Sequence, residues 1–145
     1  GISYMVKVGA LDDTKANSPY VSVTCGETYK MICLGLRFTD DRNLDNSEYA
    51  AILRNYDLPA SGSVTATIKR WQFCELFNAI LGRSNYFPDG KFVDAAGNEI
   101  TPDTYGYNDL SESDPYYRIM MIATSTFKDG KVVNRMDRNT YDYDK

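Results

Sequence analysis

The sequence predicts an α+β fold: an antiparallel β-sheet of about five to seven strands with two α-helices packed on it, since every apolar face must be covered by another layer. Three observations carry this expectation. The opening segments alternate apolar with polar positions, two later segments switch to helical spacing between start and stop signals, and Asp129-Gly130 near the end is a hairpin signal.

Ile2, Tyr4, Val6 and Val8 alternate with Ser3, Met5 and Lys7, the period of a half-buried strand, and Asp12-Asp13 with Asn17-Ser18-Pro19 break the run. Val21, Val23 and Cys25 alternate with Ser22 and Thr24, Gly26-Glu27 reads as a turn, and Ile32, Leu34, Leu36 and Phe38 supply a third strand. Together they predict an antiparallel meander. At Asp45 the period changes. Asp45 with Glu48 matches a capping box, Leu44 with Tyr49 a hydrophobic staple, and Tyr49, Ile52, Leu53 and Tyr56 follow at helical spacing until Pro59. Val64, Ala66 and Ile68 alternate again and lead into a second helix bearing Phe73, Leu76, Phe77, Ile80 and Leu81, with Gly82 where a C-terminal cap belongs.

Beyond Arg83 the chain is punctuated rather than periodic. Pro88-Asp89-Gly90 is a turn, Phe92-Val93 and Glu99-Ile100 flank Ala-Ala-Gly-Asn as a short hairpin, and Thr101 to Pro115 is a long polar loop of the kind that is functional or mobile. Tyr116 to Phe127 reads as a long apolar strand that Asp129-Gly130 returns into Lys131 to Met136. Residues 1–136 are thus expected to form a single α+β domain, with a charged tail over 137–145. Three strands followed by a helix and further strands also resemble the order of an OB barrel, so a mainly β, OB-like barrel is the alternative, for which single-stranded nucleic-acid binding would be natural. The second helix and the long loop depart from that order.

Composition narrows the function. In 145 residues, 43% hydrophobic, there is room for one real core. The net charge of -4, from 16 Lys and Arg against 20 Asp and Glu, argues against a general nucleic-acid coat, because such binding neutralises many phosphates. The longest uncharged apolar stretch, Ile119 to Ala123, is far too short to span a bilayer, and no charged-apolar-small leader opens the chain, so no membrane partner is expected. Cys25, Cys33 and Cys74 are odd in number and lie in hydrophobic segments, which favours buried thiols and a reducing compartment, although a Cys25–Cys33 bridge stays open. Cytoplasm is the expected location, or virion and host cytoplasm for a viral chain.

There is no histidine among residues that include twelve tyrosines. Histidine titrates near neutral pH and is the commonest general base and transition-metal ligand, so the usual triad and zinc chemistries are closed. The expectation is a protein that is not an enzyme and carries no cofactor.

Several residue sets remain as candidates. Asp41, Asn43 and Asp45 have the opening spacing of a calcium loop, but Asn46 stands where glycine is wanted and Ile52 where glutamate is wanted, so a solvated loop is preferred. Cys74 follows Lys69 and Arg70 near a helix start, which would lower a thiol pKa, yet it borders the apolar stripe and is expected to pack. Asp103, Asp109, Glu112 and Asp114 could supply the two carboxylates of a hydrolase, the outsider here. Lys69, Arg70 and Trp71, with Arg83, Tyr86 and Phe87 further on, are the candidate nucleic-acid face. Tyr105, Tyr107, Tyr116 and Tyr117 flank the acidic loop, and Tyr141 and Tyr143 punctuate the tail. Tyrosine offers large contact area at low entropic cost, so the four loop residues are the candidate partner-binding set. The leading expectation is a non-enzymatic binding or assembly protein, such as a small intracellular, viral or mobile-element accessory factor. It would engage a protein partner or a second copy through this loop and a sheet edge.

Overall fold

A computed structural model describes residues 2–10, 22–83, 110–128 and 131–134, with side chains for 4–10, 22–83 and 110–124. The described residues build five helices, α1 (Ile2–Lys7), α2 (Cys25–Gly35), α3 (Asn46–Asn55), α4 (Arg70–Ile80) and α5 (Tyr117–Thr124), and one hairpin of β1 (Ser125–Lys128) and β2 (Lys131–Asn134). This corrects the expected fold. Among the described residues there is neither an antiparallel sheet of several strands carrying two helices nor an OB-like barrel; the architecture is helical. The chain divides into two compact units, Gly1–Ile68 and Lys69–Lys145.

In the first unit, Ile2 to Lys7 is helical rather than extended, and Val8 begins the turn that follows. In so short a run the alternation also satisfies i, i+3, i+4 spacing, because Met5 is apolar too, and period alone cannot separate the two. Met5 packs at Gly35 of α2, its Sδ and Cε each 3.1 Å from where a β-carbon on Gly35 would lie. The third expected strand is likewise helical from Ile32 to Gly35, as part of α2, and of the second only Cys25 falls in that helix. Thr24 is its N-cap: Thr24 Oγ1 accepts the Glu27 N–H at 3.1 Å, and Glu27 Oε2 accepts the Thr24 N–H at 2.8 Å. This reciprocal pair satisfies two donors that a helix start leaves open. Buried Cys25, Tyr29, Ile32 and Cys33 then recur at helical spacing. Gly26 is not in a turn but in the first turn of the helix, packed against Asn46.

Helix α3 matches the expected position. Glu48 Oε2 accepts the Asp45 N–H at 2.7 Å, and Tyr49, Ala50 and Leu53 are buried. Its end is a Schellman closure, with Asp57 N–H donating to Arg54 O at 2.9 Å, Leu58 N–H to Leu53 O at 3.0 Å, and Asp57 at φ 57°. Helices α2 and α3 start side by side at Gly26 and Asn46 and end side by side at Phe38 and Tyr56, whose ring centroids are 4.8 Å apart. They therefore run in the same direction. Residues 58–62 are tied down by Tyr29 Oη, which accepts the Gly62 N–H at 3.0 Å, and by Arg54 Nη1, which donates to Ala60 O at 2.9 Å. The expected strand at Val64 to Ile68 is instead a turn, closed by Ala66 N–H donating to Ser63 O at 3.0 Å, that lies over the start of α2, with Cys25 N–H donating to Ala66 O and Gly26 N–H to Val64 O, and it makes one isolated bridge, Thr24 to Thr67.

In the second unit, α4 stands where the sequence places a helix, and Gly82 follows it at φ 61° with its N–H donating to Ala79 O. Tyr117 to Thr124, expected as strand, is helix α5. The uncharged apolar run Ile119 to Ala123 within it fits a buried helix as well as a buried strand, and Met120, Met121 and Ala123 favour the helix. Asn78 Nδ2 joins α4 to α5 by donating to Ile119 O at 3.0 Å, and Arg83 Nη2 donates to Ile122 O at 2.7 Å. β1 and β2 pair antiparallel with Lys128 opposite Lys131, so residues 129 and 130 separate the two strands.

Candidate interaction surface

Helix α4 is apolar on more than one side. Leu76 is fully buried, while Trp71 and Cys74 pack against the cluster of Leu110, Met120, Met121 and Ile122. Phe73, Phe77 and Leu81 stand four residues apart and form a single row along the helix. Phe73 is 44% exposed and Leu81 62%, and the Phe73 and Phe77 rings lie 4.6 Å apart at 32°. In the sequence this row lies beside Leu76 and Ile80 in one apolar stripe and does not stand out as a surface. The signal that separates them is that Trp71 and Cys74, at i and i+3, offer a second apolar side for α5 to cover.

The structure brings together two sets that the sequence kept apart. Trp71, from the candidate nucleic-acid face, stacks on Tyr116, from the candidate partner loop, at 6.2 Å between centroids and 12° between planes. Tyr116 and Tyr117 are half-buried on the same cluster, so they lie against the core rather than standing out as loop anchors. Lys69 and Arg70 are exposed at the start of α4, where the Lys69 N–H donates to Gln72 Oε1 at 2.9 Å. Tyr105, Tyr107, Asp103, Asp109, Tyr86, Phe87, Tyr141 and Tyr143 lie outside the described residues.

Of the remaining sets, Asp41 Oδ1 accepts the Asn43 N–H at 2.9 Å and Asp114 Oδ2 accepts the Ser111 N–H at 2.6 Å, so both carboxylates shape turns. Among the described residues no group of three acidic, cysteine or histidine side chains converges as a metal site would require. No disulfide joins the three cysteines. Burial raises the pKa of Cys74, with Arg70 opposing, and raises that of Cys33 to about 11. Among the described residues no helix is long and apolar enough to cross a membrane.

Comparison with known proteins finds no match: no family model fits the chain, and no curated protein or solved structure is significantly similar to it.

Proposed function

We propose that the chain is a non-enzymatic binding or assembly protein whose contact element is α4, and that the surface α4 engages is the same helix of a second copy. The observation that carries this is the row in which Phe73 and Leu81 are exposed and Phe77, half-buried, stands between them against the Phe73 ring. Large apolar side chains held together in water mark contact sites. A row at i, i+4, i+8 is also one ridge, and such a ridge fits the groove between equal ridges of another helix at about -50°. Two-fold pairing lets one patch serve both partners. The absence of histidine, and burial that keeps the Cys33 and Cys74 thiols protonated, support a role without covalent catalysis.

Light scattering behind a sizing column tests this with the purified chain alone. The mass should rise from monomer toward dimer with concentration, and Phe73→Ser with Leu81→Ser should hold it at monomer with an unchanged helical spectrum. A chain that stays monomeric throughout, or a double variant that still dimerises, overturns the proposal.

A second reading is favoured by one further observation. Lys69 and Arg70 sit at the positive end of the α4 dipole, where each cation costs about 0.3–1 kcal/mol, and the Trp71–Tyr116 stack begins beside them. Cations kept where stability disfavours them suit a single-stranded nucleic acid, whose phosphates they would meet. Anisotropy of a labelled oligonucleotide should then rise on adding protein, and Lys69→Ala with Arg70→Ala should weaken binding and flatten its salt dependence. No binding at low salt sinks this reading.

A further inference from the structure

We draw no further inference here: the strongest candidate, the surface patch of Leu36, Phe38 and Tyr56 where α2 and α3 end together in the first unit, is an unpartnered apolar face, and nothing in the structure shows what covers it.

Discussion

Asn46 occupies the space beside Gly26 so closely that a β-carbon built on Gly26 would lie 2.7 Å from both Cβ and Nδ2 of Asn46. That approach lets the first turn of α3 lie against the first turn of α2, and the side-by-side start of the two helices depends on it.

Gly26→Ala therefore has a sign opposite to the usual one. Alanine in place of a helical glycine ordinarily stabilises by about 0.5–1 kcal/mol. Here the new methyl meets Asn46, and a loss of about 1–3 kcal/mol is expected from overpacking. Asn46→Gly in the same chain removes the opposing β-carbon and should recover part of the loss. Thermal melts of the parent and the two variants check this, and a Gly26→Ala chain that melts higher than the parent refutes the contact.

Thr24→Ala should cost about 1 kcal/mol, the usual value of an N-cap hydroxyl, because the Glu27 N–H loses its acceptor. Urea titration followed by far-ultraviolet dichroism reads the effect. An unchanged midpoint would mean that α2 does not begin at this box.

Arg37 closes α2 in the left-handed region at φ 60°, and Phe38 N–H donates to Cys33 O at 2.8 Å in the Schellman pattern. An L-residue there costs about 1–2 kcal/mol that glycine does not, partly offset by the greater freedom of glycine in the unfolded chain. Arg37→Gly should thus raise stability by about 0.5–1 kcal/mol. A lower melting midpoint would contradict the assigned backbone.

Alkaline pH should destabilise the first unit. Burial lifts the Cys33 pKa from 9.0 to about 11, and its Sγ donates to Tyr49 O at 3.5 Å. The folded state holds this proton more tightly than the unfolded state. Its contribution is therefore complete below pH 9.0 and is lost as pH rises toward about 11. Tyr29 and Tyr49, each raised mainly by burial, add to the loss above their ordinary 10.0. The urea midpoint should fall from about pH 8 to about pH 10.5, and fall less in Cys33→Ala. A flat profile in the parent would show that these groups are not sequestered. Native thiol labelling at about pH 8 should likewise be slow for all three cysteines and fast after unfolding.

Helices α3 and α4 were legible because their signals agree: cap residues, helical spacing, and Pro59 or Gly82 at the end. Helix α2 is hidden because Gly26 carries the signal of a turn while it serves close packing, a requirement set by Asn46, twenty positions away. The Thr24-Glu27 spacing of a capping box is present in the sequence beside a period of two over Ile32 to Phe38 that points to a strand. Helices α1 and α5 carry no decisive period, since one is a single short run and the other is built on the uncharged apolar run Ile119 to Ala123. The pairing of Trp71 with Tyr116 was not legible, because it depends on how α4 and α5 pack. The row on α4 was visible as residues but not as a surface, since spacing does not say which apolar side a neighbour covers.

Two-fold pairing of α4 across the row Phe73, Phe77 and Leu81 places Phe77, its central residue, closest to the axis and so to its own copy. Phe77→Cys therefore tests the pairing most directly. Under mild oxidation the variant should form a disulfide-linked dimer, resolved on a non-reducing gel, with a yield well above that of the exposed control Ser61→Cys, because a disulfide needs β-carbons about 3.5–4.5 Å apart and only a residue beside the two-fold axis meets its own copy that closely. A Phe77→Cys chain that stays monomeric, or that links no better than the control, would contradict self-assembly through α4.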